Sequence, residues 1–243
     1  MLEVKNLKTG YGKVEVIHDV SFSVPDDSVT GIIGRNGVGK TTTVKAICGY
    51  LPTNGGSVTF NGTDLGKLHT SKRVRMGIAY VPQGHGAIAQ LTVEENLELG
   101  ERLGKTHAKN LDSAGTPATS LSIDDVYELF PRLDERRHQK AGTLSGGEQA
   151  CLAIGRGVLS EPNLLILDEP SEGLQPNLVD MIGDVLNKIV SQYKLSVLLV
   201  EQNMNLIQSA CQQCYVIDKG VISGHLSQDQ IADQHQLQQH LTL

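Results

Sequence analysis

Gly34-Arg35-Asn36-Gly37-Val38-Gly39-Lys40-Thr41 is the stretch that decides the reading of this chain. Before it, Val29-Thr30-Gly31-Ile32-Ile33 is an apolar run of strand size. After it the pattern is helical as far as Cys48, and Gly49 stands where a left-handed residue would cap the helix. A glycine-rich loop between a strand and a helix is the phosphate-loop pattern in the context that pattern requires. The glycines let successive backbone N–H groups turn inward around a β-phosphate, with Thr42 following in the first turn. Lys40 adds a point charge toward the β and γ phosphates, and Thr41 offers a hydroxyl to Mg2+. The positive end of the helix dipole points at the same anion.

Leu164-Leu165-Ile166-Leu167-Asp168-Glu169 is an apolar run that ends in two carboxylates, as when a buried strand delivers acids to a catalytic edge. Asp168 is expected to hold Mg2+ through water, because magnesium keeps most of its hydration shell. Glu169 is expected to polarise an attacking water as general base. Many strands end in acids, so this run is a weak signal alone. Beside a phosphate loop it becomes specific.

Outward from these motifs, Leu2 to Val24 alternates apolar and polar residues with the period of half-buried strands and reads as antiparallel β. Asn54-Gly55-Gly56 and Asn61-Gly62 turn the chain on either side of Ser57 to Phe60, and a strand is expected at Gly77 to Val81. From Gly84 to about Glu161 the character is helical, with capping-box starts at Thr92-Val93-Glu94-Glu95 and Ser145-Gly146-Gly147-Glu148. The polar, Ser/Thr/Gly/Pro-rich segment Lys105 to Ser122 reads as a surface loop. After Leu164 the pattern gives a helix over Asn177 to Gln192, a strand at Leu195 to Val200, a helix near Asn203 to Gln212, and a hairpin over Tyr215 to Ile222. Residues 1–83 and 162–243 are thus expected to form one α/β core with an antiparallel part, and 84–161 an inserted helical subdomain. No repeat is visible, and one copy of each motif argues for one domain.

The chain has 243 residues, 39% hydrophobic and 20% charged, which suits a soluble globular domain. Its apolar runs are strand-sized, far below the roughly 20 residues needed to cross a bilayer. The start, Leu2 and Val4 in a strand pattern, lacks the features of a secretory signal, so the chain is expected to stay in the cytosol. A net charge of −6 with 4% aromatics advertises neither a basic face nor a base-stacking platform, so nucleic acid is not an expected partner. Four scattered cysteines make no disulfide framework. Cys211-Gln-Gln-Cys214 has redox or half-zinc spacing without a second ligand pair, and reads as packed, inert thiols.

Leu144-Ser145-Gly146-Gly147-Glu148 separates the chain from other phosphate-loop NTPases, because it resembles the signature of ATP-binding cassette (ABC) proteins. A serine and two glycines at a helix start build a second anion site from a hydroxyl, open N–H groups and the helix dipole. The same residues also read as a plain cap, Ser145 with Glu148 three residues on, and the two readings are compatible. The resemblance implies an α/β fold with a P-loop NTPase core of RecA-like type, an antiparallel β subdomain and an inserted helical signature subdomain. It further implies that Ser145, Gly146 and Gly147 face the γ-phosphate of ATP bound by a partner subunit.

Other family elements follow in order over nearly the whole chain. Tyr11 resembles the aromatic that stacks on adenine, with a strand aromatic as its simpler reading. Gln83 resembles the lid glutamine that touches Mg2+ and relays motion to a membrane partner. Ser171-Glu172-Gly173-Leu174-Gln175-Pro176 resembles the loop that crosses the dimer seam. In Val200-Glu201-Gln202-Asn203, Gln202 stands where most members have a switch histidine, so a neutral amide replaces the imidazole contact to the γ-phosphate. Glu201-Gln202-Asn203, Thr92 to Leu97 and Gly34 to Thr42 together resemble the second ATPase of bacterial branched-chain amino acid, urea and short-chain amide importers. The 171–176 loop leans toward the urea and amide branch.

Two features depart from that pattern. His85 to Gln90 lacks the basic and aromatic residues expected after Gln83. Gly155 and Gly157 replace alanines in the signature helix at about 1 kcal/mol each, which suggests a looser helix. The function implied is a cytoplasmic ATPase, peripheral on the inner face of the membrane. Two copies, or this chain and a sister ATPase, would sandwich two ATP molecules and drive permease subunits fed by a solute-binding protein. The alternatives are a non-transport ABC ATPase of DNA repair or translation, or a nucleotide-dependent regulator. The former usually carries coiled coils or two cassettes, the latter lacks the carboxylate that Glu169 supplies.

Overall fold

The computed structural model describes residues 1–84, 86–110, 121–233 and 235–237. The alternating N-terminal stretch pairs with itself as a long hairpin of β1 (Leu2–Tyr11) and β2 (Val14–Val24). β3 (Val29–Ile33), buried throughout, runs through the glycine loop into α1 (Lys40–Cys48). β4 (Gly55–Phe60) and the two-residue β5 (Thr63–Asp64) return to β1, and α2 (Thr70–Arg75) leads into β6 (Ile78–Val81). Four helices follow: α3 (Val93–Asn110), α4 (Ile123–Leu129), α5 (Pro131–Glu135) and α6 (Gly146–Leu159). Strand and helix then alternate through β7 (Leu164–Asp168), α7 (Pro176–Tyr193), β8 (Ser196–Glu201) and α8 (Met204–Ala210). The described chain closes with β9 (Gln213–Asp218), β10 (Val221–Ser227) and α9 (Gln228–Ala232).

The strands form one sheet in the order β5-β4-β1-β2-β10-β9-β3-β8-β7-β6. β9, β3, β8, β7 and β6 are parallel neighbours, whereas β5, β4, β1 and β2 are antiparallel. The two parts join where Val221 of β10 pairs with Asp19 of β2. The strands on either side of β3 are β9 and β8, neither of them its neighbour in sequence, so a crevice opens at its carboxyl end. The glycine loop occupies that crevice.

Parallel strands covered on both faces read as continuous apolar runs, and their side chains divide between two cores. Leu165, Leu167, Val197 and Leu199 face one core, built with α3, α4, α6, α7 and α8. Leu164, Ile166, Leu198 and Val200 face the other, shared with α1 and the antiparallel strands. Arg73, 3% exposed, closes the end of α1 by donating to the carbonyls of Ala46 and Ile47 at 2.7 and 2.6 Å, and to Leu65 and Leu68 at 2.7 and 2.9 Å. Ala46 O also accepts from Gly49 N at 3.1 Å, whereas Ile47 O, past the last helical bond, takes the guanidinium in place of a helical partner.

Three expectations are corrected. Helix α3 runs on to Asn110, past the loop start expected at Lys105, because Glu98–Arg102 and Glu101–Lys105 ion pairs at i,i+4 support its exposed face. The part of that loop at 111–120 lies outside the described residues. Gly55 and Gly56 belong to β4 rather than to a turn. The third concerns Gly155 and Gly157, which mark close packing rather than a loose helix. A Cβ on Gly155 would lie 2.6 Å from Val126 Cγ1, and one on Gly157 3.0 Å from Leu165 Cδ1.

Gly155→Ala is therefore expected to destabilise the fold by about 1 kcal/mol, since overpacking of roughly 1–3 kcal/mol outweighs about 1 kcal/mol of helix propensity. A urea midpoint that rises in this variant would show that propensity wins. The four thiols give a second test. All are buried, and burial pushes Cys48, Cys151 and Cys214 up to about 12 and Cys211 well above the ordinary thiol value. The native protein at neutral pH should leave all four unlabelled by a thiol reagent, and denaturant should expose all four.

Candidate functional site

The glycine loop takes its shape from backbone conformations that suit glycine. Gly37 and Gly39 have φ of 81° and 111°, and Gly39 caps α1 through its carbonyl, which accepts from Thr43 N and Oγ1 at 2.9 and 3.0 Å. No side chain caps α1 and no acid sits in its own first turn, so the backbone N–H groups at its positive end face the cleft uncapped. Lys40 turns back under the loop, its side chain 3% exposed. Its ammonium donates to Gly34 O at 2.9 Å and Arg35 O at 3.0 Å, and pairs with Glu169 Oε1 at 2.9 Å.

Strand β7 brings the acids to the same place. Thr41 Oγ1 donates to Asp168 Oδ1 at 3.1 Å, and Tyr80 OH donates to Asp168 Oδ2 at 3.0 Å. Burial pushes the Asp168 carboxyl above the usual carboxylate range, against the hydrogen bonds from Tyr80 and Thr41. Glu169 has φ of 50°, unusual for a residue with a Cβ, and its N–H is held by Val200 O at 2.8 Å. Gln83 Nε2 reaches Glu169 Oε2 at 3.2 Å and Glu172 Oε2 at 2.9 Å.

A cleft of about 270 Å3 results, lined by Asn36, Gly37, Gly39, Lys40, Thr41, Thr42, Gln83 and Glu169. Asp168 joins them through Thr41. Gly34 and Arg35 contribute their carbonyls to Lys40 from behind, and Val38 packs toward the second core. Thr41 and Asp168 offer adjacent hard oxygens, a donor set that fits magnesium better than a soft metal.

Six other sequence-predicted residues do not line the cleft. Tyr11, 47% exposed, ends β1 with Lys45 Nζ 6.0 Å from its ring centroid. Gln202 is exposed after β8. Ser145 and Glu148 stand at the start of α6, with Gly146 exposed and Gly147 buried, in a complete capping box. Glu148 Oε2 accepts from Ser145 N and Oγ at 2.9 and 2.8 Å, and Arg136 Nε lies 2.7 Å from Oε1, in charge contact without hydrogen-bond alignment. Burial raises the Glu148 carboxyl, but the bonds from Ser145 and the Arg136 charge hold it below the ordinary glutamate value.

Sequence reasoning missed Tyr80, Arg136 and Glu201 as parts of this apparatus. Glu201 is 1% exposed and accepts from the backbone N–H groups of Ser171, Gln202 and Asn203 at 2.9, 3.0 and 3.1 Å. Burial raises its carboxyl pKa, while those bonds oppose the shift. A charge closing the all-buried run Ser196–Glu201 was the available signal.

The family model described as ABC transporter matches residues 17–172. The chain is 40% identical to the high-affinity branched-chain amino acid transport ATP-binding protein BraG of Pseudomonas aeruginosa, over 93% of this chain and 92% of that protein. It is 34% identical to the probable branched-chain amino acid transport ATP-binding protein LivF of Archaeoglobus fulgidus, over 92% and 90%. A solved ATP-binding subunit of an ABC transporter superposes with a TM-score of 0.75 at 28% identity, covering 98% of this chain and 94% of that one. With the phosphate loop, the paired acids and the capped signature helix in place, the chain belongs to the ABC transporter family and carries its ATPase domain.

Proposed function

We propose that this chain is the ATP-binding and ATP-hydrolysing subunit of an importer for a branched-chain amino acid or a similarly small solute such as urea or an amide. One observation carries the ATPase chemistry: Lys40, Thr41, Asp168 and Glu169 converge on one cleft at the carboxyl ends of β3 and β7. The likeness to BraG and LivF supports the solute class.

The residues divide the work by what their atoms can do. Lys40 turns its ammonium from Glu169 to the phosphates, while the loop N–H groups and the α1 dipole hold the same anion. Freed from Lys40, Glu169 can accept the proton of an attacking water. Thr41 and Asp168, with Gln83 near by, would hold Mg2+, which supplies charge neutralisation at the phosphates. Tyr11 stacks on adenine, and the Gln202 amide donates to the γ-phosphate. Ser145, Gly146 and Gly147 serve the nucleotide of the partner subunit, an identical chain or a sister ATPase. Bound ATP is then part of the interface, and hydrolysis removes that adhesion.

Among the described residues no helix is long and apolar enough to cross a membrane. The permease contact proposed is a groove between β6, α3 and α6 that exposes Tyr50 (60%), Leu103 (50%), Ile88 (39%) and Leu99 (36%). Such a contiguous apolar patch fits an apolar helix of the permease at the inner face of the membrane. The aromatic and basic groups absent after Gln83 come from other elements, as Tyr50, Tyr80, Arg102 and Arg156 line the same groove.

Lys40→Ala should reduce nucleotide affinity at least about tenfold, as loss of a charged hydrogen-bond donor predicts, in a fluorescent-nucleotide titration. Unchanged affinity would refute the phosphate-loop assignment. Glu169→Gln should keep binding, stop turnover and give a dimer in ATP that dissociates in ADP, read by sedimentation, with the sister ATPase present if one exists. Adding Ser145→Arg should abolish that dimer. A dimer indifferent to nucleotide or to Ser145→Arg would leave Ser145 as a helix cap alone.

A further inference from the structure

Tyr80 belongs to two places at once. Its ring forms part of the wall of the apolar groove, with the Tyr50 ring 6.0 Å away at 51°. Its hydroxyl runs along the face of the sheet that Ile166 shares and donates to Asp168 Oδ2 at 3.0 Å. Asp168 is 1% exposed, so it depends on protein donors for both oxygens. Thr41 serves Oδ1 from α1, and Tyr80 serves Oδ2 from β6. Two bonds from opposite sides fix the rotation of a carboxylate that either bond alone would leave free to swing. The oxygen presented beside Thr41, on the cleft side, is then always Oδ1.

We infer that Tyr80 is a positioning residue that orients Asp168 for its metal ion and joins that carboxylate mechanically to the apolar groove. The inference rests on the ATPase reading above, in which Asp168 and Thr41 hold the magnesium that accompanies the nucleotide. It adds a route of about one side chain between groove and metal site: pressure on the Tyr50–Tyr80 pair moves the hydroxyl that holds Oδ2. Gln83 also borders the cleft, but its amide contacts Glu169 and Glu172. Tyr80 therefore addresses a different carboxylate.

The test uses the intact chain, with Mn2+ as the paramagnetic probe and a non-hydrolysable ATP analogue. Tyr80→Phe keeps the ring in the groove and removes only the hydroxyl. Mn2+ affinity in the presence of the analogue should fall about tenfold, the loss expected for a hydrogen bond to a charged group, while analogue affinity in EDTA stays unchanged. A merely structural role would weaken both together. Tyr50→Ala, a residue that makes no contact with the metal carboxylate, should lower Mn2+ affinity by about two- to threefold, as coupling between packed neighbours predicts.

Unchanged Mn2+ affinity in Tyr80→Phe would overturn the positioning role. Unchanged Mn2+ affinity in Tyr50→Ala would overturn the link to the groove. Equal losses with and without metal in Tyr80→Phe would reduce Tyr80 to a packing residue and also overturn the inference. If the unmutated chain showed no metal-dependent binding of the analogue, the ATPase reading itself would fail, an outcome distinct from the others.

Discussion

A buried ammonium is the constraint on which this molecule is organised. Lys40 has three N–H donors and no acceptor, and at 3% exposure water cannot serve them. Gly34 O, Arg35 O and Glu169 Oε1 do so instead, all within 3.0 Å. To supply the first two, the loop after β3 must curl over the first turn of α1. To supply the third, β7 must end beside β3's loop, which the order β3-β8-β7 permits because the parallel strands share one carboxyl edge. Leaving such a charge unpaired in the interior would cost several kcal/mol.

The same arrangement defines how an anion enters. Glu169 is the counter-charge of Lys40, so in the function proposed above a polyphosphate would replace one anion by another and no bare charge would be created. Glu169 is held for this by a left-handed backbone that costs roughly 1–2 kcal/mol in a residue with a Cβ. Its N–H bond to Val200 O and its ion pair offset that strain. Strain at a carboxylate in the cleft, supported by its neighbours, fits the general-base role proposed for Glu169.

What was legible in the sequence was local or periodic. The phosphate loop, the paired acids and the capping box at Ser145 declare themselves within a few residues, because backbone geometry and capping act at short range. The alternation of β1 and β2 and the apolar runs of β3, β7 and β8 announced the sheet. What stayed hidden depended on contacts across the sequence. Tyr80 reaches Asp168 over 88 positions, and Glu201 reaches Ser171 over 30. Arg73 looks like an ordinary basic residue of a short helix until its four carbonyl partners are in place. Gly155 misled because helix propensity knows nothing of Val126.

Glu201 carries a mechanical consequence. Its one carboxylate holds the backbone of Ser171, in the loop after Glu169, and the backbones of Gln202 and Asn203, in the loop after β8. With the carboxylate buried and three hydrogen bonds converging on it, the two loops form a single yoke. The link between the Ser171–Pro176 segment and the backbone at Gln202 is therefore one buried side chain long, with no train of flexible side chains between them. Changing the side chain at 202 would thus alter what the yoke touches and leave its travel intact.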